Sequence, residues 1–321
     1  MTIHDLFEQV KKSRLEHRYR VVPLPDIHDA YIGSDGQGRP CIFFRCSDGT
    51  RQPSLQTERL SLVVSREFAL FMPGGIRRTD RYNAIFCMSD SPDDIEAFLT
   101  VIDSFLEHNA HEHISTKDIS AFFSALLRLF SIGPDKNTGA SRQGLWGELY
   151  FMRQNRGYEF WAPYWHTETS RLFDFSSILK RLEVKTTSGP NRIHHVSHRQ
   201  VYSPVREEIY IASMILTEDD TGLSLRSLIA ECREALRETP HFMKLEKSVR
   251  HAGMHSHDEG PKYNGGEAAS SIRFFDVVSV PRFRVNEPEG VSGTHYQIDL
   301  TSIPAVDGAR LTAWIDNWSI E

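Results

Sequence analysis

The sequence predicts an α/β (α+β) protein in which helices flank a mixed β-sheet, preceded by an N-terminal β-rich domain. Three observations predict this fold class. Short β-branched and aromatic runs, broken by turn residues, fill most of residues 18–89. Amphipathic helical segments follow between residues 91 and 157. Beyond residue 157, strand-like runs alternate with further helical segments, the pattern of a sheet with helices packed on it.

The length of 321 residues suits two domains, because a typical domain has about 100–200 residues. We place the β-rich domain, closed by a helix, at residues 1–112 and the second domain at residues 113–321. The net charge of −6 gives no overall basic field for nucleic acid, although a local basic cluster is enough to bind one. Four scattered cysteines without a CxxC pair, no secretory signal and no membrane span predict a cytoplasmic, disulfide-free protein.

The elements of the first domain follow from periodicity and turn residues. Ile3, Leu6, Phe7 and Val10 lie at helical spacing and predict a short amphipathic helix. Ser91-Pro92 is typical of a helix start, and the apolar residues after it share one helix face. Strands are predicted at residues 18–25, 30–49, 60–73 and 81–89, with turns inside the second of these runs.

The second domain begins with helices at residues 115–131 and 142–157, separated by a loop. Further helices are predicted at 224–239 and 241–253, and residues 255–270, polar and rich in glycine, are predicted to form an exposed loop. The predicted strands are residues 158–165, 171–178, 180–187, 208–216, 271–285 and 294–302.

The candidate site residues are predicted to lie in "LFDFSSILKRLEVKTTSG", residues 172–189. Side chains alternate along a strand, so Glu183 and Lys185 share one face while Leu182 and Val184 share the other. If Asp174 on the preceding strand lies opposite them, two carboxylates and one ammonium meet. Such carboxylates repel each other, and a divalent cation such as Mg²⁺ relieves that repulsion. Lys185 could then orient or deprotonate an attacking water, or stabilise charge on a phosphate.

The helix before this stretch carries Glu148, which could supply a third acidic ligand or hold a water. Gly147 beside it permits a close approach of the helix backbone. The alternative for the strand pair is an exposed hairpin face with an incidental salt bridge, worth about 0–1 kcal/mol. For Glu148 the alternative is an ordinary glutamate on a helix surface.

The order of these motifs, "GLWGELYF", "FDF", "LEVKTT" and "HHVSHRQV", resembles the PD-(D/E)xK nuclease superfamily. The amino-acid sequence of these motifs is similar to that of PD-(D/E)xK proteins found beside restriction-modification and phage-defence genes. The resemblance implies a restriction-endonuclease-like core with Asp174, Glu183, Lys185, Glu148 and Gln200 as catalytic residues. It also implies Mg²⁺, with Mn²⁺ as an alternative, bound by Asp174, Glu183 and Glu148. The chain departs from the motif's name, because Phe173 and not proline precedes the first acid.

A donor-rich segment directly after Lys185 is predicted to contact the phosphates of DNA. Its members are hydroxyl, imidazole and guanidinium side chains: Thr186, Thr187, Ser188, Arg192, His194, His195, His198 and Arg199. Two other interpretations stay open for this segment. It could be plain surface, or three of its histidines could bind zinc, although neither a cysteine nor a carboxylate completes such a site.

The resemblance therefore implies a Mg²⁺-dependent DNA endonuclease of a restriction or anti-phage defence system. The alternative is a non-catalytic DNA-binding or assembly subunit that keeps the nuclease fold, which the acidic net charge favours and the intact acid-acid-x-Lys set disfavours. DNA is the expected partner, with no membrane. The sequence has no P-loop, so an ATPase subunit of the same system, or a methyltransferase subunit, would be another chain. We expect a homodimer, because cutting both strands commonly requires two paired sites.

Overall fold

The structure is a computed structural model that describes residues 2–11, 19–25, 27–46, 53–110, 114–167, 171–202, 207–255 and 257–318. Contacts divide the chain into two compact units, Met1–Gly133 with Arg237–Glu246, and Pro134–Leu236 with Lys247–Glu321. The helix Thr116–Phe130, which we expected at the start of the second domain, belongs to the first unit. No helix in the described part of the chain is long and apolar enough to cross a membrane.

The first unit combines helices with strands that pair antiparallel, apart from its first and fifth strands, which pair parallel. Its helices are α1 (Ile3–Lys11), α2 (Pro92–His108) and α3 (Thr116–Phe130), and its strands are β1 (Arg20–Pro23), β2 (Ala30–Ser34), β3 (Pro40–Arg45), β4 (Leu55–Gln56), β5 (Leu60–Met72) and β6 (Ile76–Cys87). Helix α1 buries the four apolar residues that the periodicity predicts. Helix α2 begins at the proline of the predicted helix start, after Ser91.

The strands of the first unit follow the order β1-β2-β3-β6-β5-β4, and β5 also pairs with β1. The strands β1, β2, β3, β6 and β5 therefore form a closed ring. Large aromatic side chains fill its core, and several meet edge to face: Tyr31, Phe43, Phe68, Tyr82 and Phe86. This arrangement agrees with the β-rich character predicted for the N-terminal region.

The second unit contains the mixed sheet. Its helices are α4 (Thr138–Gln154), α5 (Tyr158–Trp161), α6 (His198–Val201), α7 (Leu225–Leu236), α9 (Gly265–Ser271) and α10 (Gly308–Asp316), while α8 (Phe242–His251) spans a boundary between the two units. Its strands are β7 (Phe175–Ser176), β8 (Lys180–Thr187), β9 (Ile193–Ser197), β10 (Glu208–Ile215), β11 (Glu218–Ser224), β12 (Lys262–Tyr263), β13 (Arg273–Asp276) and β14 (His295–Asp299).

The central sheet has the order β13-β10-β8-β7. Strand β10 is parallel to β8 and antiparallel to β13, while β7 is antiparallel to β8. A sheet with both kinds of pairing and helices packed on it confirms the predicted α/β (α+β) class.

Helix α4 packs closely on one side of β8. A Cβ atom added to Gly147 would overlap with Thr186 Cγ2 and would come within 3.7 Å of Val184 Cγ1. Glycine is therefore required for the backbone of α4 to lie this near the strand, as the sequence predicts. The close approach brings Glu148, the next residue on α4, to the level of the strand.

An apolar layer covers the other side of the central sheet. It joins Ile209 and Ile211 of β10 and Phe275 of β13 to Val196 of β9 and Ile298 of β14. Strands β9 and β14 pair antiparallel as a two-stranded sheet. The central sheet is thus covered by α4 on one side and by this small second sheet on the other.

Several segments differ from the sequence prediction. Strands β9 and β11 were not predicted, and the predicted strand at residues 271–285 is a strand only over Arg273–Asp276. Residues 158–165, predicted as a strand, contain helix α5, and Trp161 within it is fully buried against Phe151 and Phe175. The predicted loop at 255–270 contains strand β12 and most of helix α9. Asn264 is the N-cap of α9. Helix α10 was not predicted. In each case local composition was a weaker influence than tertiary packing.

Candidate active site

Glu183 lies in the middle of β8, and its side chain is buried. Only 5% of the residue is exposed. The parallel register pairs Glu183 with Ile211, a member of the apolar layer, so the carboxylate faces that layer. The alternation of the strand was predicted correctly, but the face that carries Glu183 is covered and does not face solvent.

The two oxygens of the Glu183 carboxylate have different surroundings. Oε1 lies 2.7 Å from Lys185 Nζ and accepts a hydrogen bond of 2.7 Å from Gln200 Nε2. Oε2 is buried and has no hydrogen-bond partner in the described part of the chain. A buried, unpaired carboxylate oxygen is costly, because its desolvation is not compensated. Its surroundings suit a cation.

Lys185 is held next to Glu183, with 23% of its side chain exposed. Burial alone would lower the pKa of its ammonium, but the Glu183 and Asp174 carboxylates outweigh burial and raise the pKa above its ordinary value. Lys185 is therefore protonated at neutral pH. In this state it donates hydrogen bonds and supplies positive charge, and it does not accept a proton.

Asp174 immediately precedes β7, at the edge of the sheet. The backbone N–H of Val184 donates a hydrogen bond of 2.7 Å to Asp174 Oδ2, which fixes the acid beside β8. Burial raises the pKa of Asp174 well above its ordinary range, and the Glu183 and Glu148 carboxylates raise it further. Asp174 before β7, Glu183 in β8 and Glu148 in α4 thus interact electrostatically with one another, and their catalytic roles stay predictions.

Glu148 reaches the site from α4. Its Oε2 accepts a hydrogen bond of 2.6 Å from Trp165 Nε1. Burial raises the pKa of Glu148 to about 7, the Trp165 hydrogen bond opposes the rise, and the Glu183 carboxylate adds to it. A carboxyl with this pKa exchanges a proton near neutral pH and could hold a water.

Gln200, in the short helix α6, connects the segments around the site. Its Nε2 donates to Glu183 Oε1 and, at 2.9 Å, to the backbone oxygen of Leu172, while its Oε1 accepts from the Ser197 N–H at 2.9 Å. The amide nitrogen of Gln200 thus donates two of these hydrogen bonds, and the amide oxygen accepts the third. The sequence placed Gln200 on the helix after the lysine strand, and the structure shows the bonds that orient Glu183.

The donors present fit a divalent cation that takes oxygen ligands. Asp174 lies directly before β7 and Glu183 lies in β8, and Glu183 Oε2 is without a partner among the described residues. Among these same residues, no group of three or more His, Cys, Asp or Glu side chains is spaced to hold a metal ion. A cation would therefore complete its coordination with water or substrate oxygens, and Glu148 as a third ligand stays a prediction.

The residues predicted to contact DNA differ in their exposure, and Thr186, Thr187 and Arg192 are half-buried. Ser188, His195 and Arg199 are exposed, whereas His194 and His198 are buried. Two of the hydroxyls have intramolecular bonds, since Thr186 Oγ1 accepts from Gln143 Nε2 and Thr187 Oγ1 accepts from the Gly189 N–H. Contact with nucleic acid stays a prediction for all of them, and the exposed ones are best placed to make it.

His194 and Arg192 form a buried network around Ser213, which the register places beside Lys185. His194 Nε2 lies 2.7 Å from Ser213 Oγ, and Arg192 Nη1 donates to the same oxygen at 2.9 Å. Burial, with the Lys185 and Arg192 cations adding to it, lowers the pKa of His194 to about 4. His194 is therefore neutral, and this network supports the strand that carries Lys185.

The histidines considered for zinc are engaged elsewhere. His198 Nε2 lies 2.8 Å from the Val285 oxygen and its Nδ1 lies 3.2 Å from Tyr296 Oη, while His195 Nε2 lies 2.9 Å from Gln297 Nε2. These bonds, together with the one between His194 and Ser213, hold the three rings in separate positions.

Trp165 and Ser213 are part of the site and were missed. Trp165 lies in the segment predicted as a strand, and Ser213 lies in a strand with no other polar side chain between Ile209 and Ile215 except Tyr210. A lone serine in an apolar strand was the available signal for Ser213. No local signal in the sequence points from Trp165 to Glu148.

The mixed sheet, the preceding helix and the series Asp174, Glu183, Lys185 define a protein of the PD-(D/E)xK class. A comparison with protein families agrees: the family described as "Putative PD-(D/E)XK family member (DUF4420)" matches residues 3–301. The chain belongs to this family. No curated protein and no solved structure gives a significant match.

Proposed function

We propose that this protein is a Mg²⁺-dependent DNA endonuclease that hydrolyses phosphodiester bonds in a restriction or anti-phage defence system. The observation that carries the proposal is the shared site of Asp174, Glu183 and Lys185, with Lys185 Nζ 2.7 Å from Glu183 Oε1. Membership of a family described by the PD-(D/E)XK motif supports a nuclease. DNA as the substrate, Mg²⁺ as the cation and the defence role are our proposals.

Asp174 and Glu183 are the residues that would hold the cation. When bound, Mg²⁺, or Mn²⁺ in its place, would supply Lewis-acid stabilisation of the charge that builds on the phosphate. The unpaired Glu183 Oε2 supports this assignment, because a cation would relieve its uncompensated burial.

The chain's own groups then divide the work at the reacting phosphate. The protonated Lys185 donates hydrogen bonds to the attacking water or to a phosphate oxygen and stabilises negative charge there. Gln200 orients Glu183 through its 2.7 Å hydrogen bond. Glu148, with its pKa raised to about 7, holds or releases a proton on a water near the site. In-line attack leaves a 5′-phosphate and a 3′-hydroxyl.

The test is cleavage of plasmid DNA in Mg²⁺ or Mn²⁺ by the wild type and by Lys185→Ala and Asp174→Asn. The Asp174→Asn substitution removes the carboxylate. It keeps an oxygen that accepts the hydrogen bond of the Val184 N–H, so the fold should be preserved. Lys136→Ala is the matched control, because Lys136 is exposed and lies before α4. We expect cleavage by the wild type and the control and a loss of at least 100-fold in both site variants. Cleavage that survives both site substitutions contradicts the assignment.

The same cleavage assay also tests whether partner proteins are required. The wild type is assayed alone and with the products of neighbouring genes, including any ATPase or methyltransferase subunit. An inactive wild type in every combination would favour the alternative, a DNA-binding or assembly subunit that keeps the fold. Sedimentation of the active form tests the proposed homodimer, since cutting both strands commonly requires two paired sites.

A further inference from the structure

A cavity of about 710 Å³ lies in the second unit. Its walls include Arg171, Phe173, Arg199 and Tyr202. Sites that bind small molecules have volumes of about 300–1,000 Å³. The cavity is therefore large enough for one nucleotide of a nucleic-acid strand.

Residues of the cavity wall adjoin the acidic site along the chain and through hydrogen bonds. Leu172 and Phe173 line the cavity, and Asp174 is the next residue along the chain. Gln200 bonds both the Leu172 oxygen, at 2.9 Å, and Glu183 Oε1, at 2.7 Å. His166 also lines the cavity, and its N–H donates to the Asp174 backbone oxygen at 2.7 Å. A ligand in the cavity would lie beside the residues proposed to hydrolyse a phosphodiester.

Two arginines of the cavity wall have exposed side chains. Arg171 and Arg199 form no hydrogen bond or ion pair with a residue that the structure describes, although the Arg199 cation lies near enough to Glu287 to help lower the pKa of that carboxyl. Both acids of the wall have a hydrogen-bonding or ion-pair partner. Glu207 pairs with Arg181 at 2.6 Å, and Glu287 accepts the Thr294 N–H at 2.9 Å. Exposed guanidinium groups that donate no hydrogen bond within the described chain can bind phosphate oxygens with two parallel hydrogen bonds.

The cavity also offers an aromatic surface that is held in place. The rings of Tyr202 and His198 are stacked, with centroids 5.1 Å apart and planes 12° from parallel. His198 is itself fixed by its contacts with the Val285 oxygen and Tyr296 Oη. Ser177 Oγ, on the same wall, is buried and has no hydrogen-bond partner among the described residues. A fixed ring, a hydroxyl without a partner among the described residues and two exposed guanidinium groups together match the base and phosphate of a nucleotide.

We propose that this cavity binds the nucleotide next to the scissile phosphate, with its phosphate on Arg171 and Arg199 and its base against Tyr202. This inference rests on the proposed nuclease function and adds a defined subsite to it. The basic wall also explains how a chain with a net charge of −6 would hold a polyanion: a local group of arginines contacts the strand next to the acids.

The experiment measures binding of a fluorescein-labelled single-stranded oligonucleotide and its duplex by anisotropy in EDTA, which prevents cleavage. The variants are Arg171→Gln, Arg199→Gln, Tyr202→Leu and Tyr202→Phe. Arg226→Gln is the matched control, because Arg226 is 51% exposed on α7 of the same unit. Melting temperatures verify that each variant is folded.

We expect each cavity arginine variant to weaken binding and to reduce the slope of log K against log salt by about one, as for loss of one phosphate contact. Tyr202→Leu should weaken binding about ten-fold, whereas Tyr202→Phe, which keeps the ring, should bind like the wild type. The control should leave binding unchanged. If Tyr202→Leu does not fold, the two exposed arginines decide the question.

Two results would overturn the proposal: no oligonucleotide binding by the wild type, or arginine variants that bind within two-fold of Arg226→Gln with an unchanged salt slope. These results are separate from the plasmid assay. A chain that binds through the cavity but never cleaves DNA keeps the subsite and loses the nuclease function. A chain that cleaves DNA with unaltered binding in the cavity variants keeps the nuclease function and loses the subsite.

Discussion

Gly147→Ala should destabilise the second unit, whereas Gly144→Ala, three residues earlier on the same helix, should not. A Cβ at position 147 would overlap with Thr186 Cγ2, and its next neighbours, Met214 Cε at 3.5 Å and Val184 Cγ1 at 3.7 Å, are at ordinary contact distances. A Cβ at Gly144 would have no heavy atom within 4 Å. One methyl group is thus the whole steric obstacle.

The magnitude follows from the difference between the two variants. Both replace glycine by alanine inside a helix, which stabilises each by about 0.5–1 kcal/mol. That contribution cancels when the variants are compared, and the remaining difference is the overpacking energy of about 1–3 kcal/mol. Rotating Thr186 to make room would break its 3.1 Å hydrogen bond with Gln143, so relaxation does not remove the cost.

The assay is urea unfolding followed by tryptophan fluorescence. All five tryptophans of the chain are at positions 146, 161, 165, 314 and 318, within the second unit, so the signal reports that unit alone. Thr186→Ser removes Cγ2 and keeps the hydroxyl, so Gly147→Ala combined with Thr186→Ser should regain most of the lost stability. Equal stability of Gly147→Ala and Gly144→Ala would refute the close approach of α4 to β8.

Three further predictions concern the site. Gln200→Glu should be less stable at pH 8 than Gln200→Ala, because glutamate places a second carboxylate beside Glu183 Oε1. Urea unfolding measures both variants. A more stable Gln200→Glu would contradict the hydrogen bond between Gln200 and Glu183. The pKa of His194 is lowered to about 4 in the folded protein. As the pH falls from about 7 towards 4, the unfolded chain therefore binds a proton at this residue before the folded protein does, and the free energy of unfolding decreases. The loss at pH 5 is about 2 kcal/mol, and His194→Gln should remove this part of the pH dependence. Mg²⁺ at 100 times its dissociation constant should raise the free energy of unfolding by about 2.7 kcal/mol, and Asp174→Asn should abolish that gain; an equal gain in both proteins would place the cation elsewhere.

The sequence was sufficient to locate strand β8, because alternation and β-propensity act together from Lys180 to Thr187. It was also sufficient to bring Asp174 and Glu148 to this strand through the resemblance of the motif order. It did not show that Glu183 is buried. Burial of that face depends on strands β9 and β14, which lie more than 90 residues apart in the chain, and such long-range pairing has no local signature.

The aromatic segment after α4 shows why other elements were not predicted. Its tyrosines, phenylalanine and tryptophans favour strands as individual residues. Burial of Trp161 against Phe151 and Phe175 selects helix α5 instead, and the turn that follows brings Trp165 to Glu148. The cavity was missed for a related reason, since Arg171, Arg181 and Tyr202 come together only when β7, β8 and α6 are assembled.

The unpaired Glu183 oxygen implies a trade-off between stability and activity. A buried carboxylate oxygen without a partner weakens a fold by about 1–3 kcal/mol. Burial, with the neighbouring carboxylates adding to it, raises the pKa values of Asp174 and Glu148, so these acids too are in unfavourable surroundings for a charge. An apolar side chain of similar volume would pack better against Ile211. Thermostabilising selection without an activity screen would therefore be expected to remove these acids first, and the most heat-resistant variants of this chain would be inactive ones.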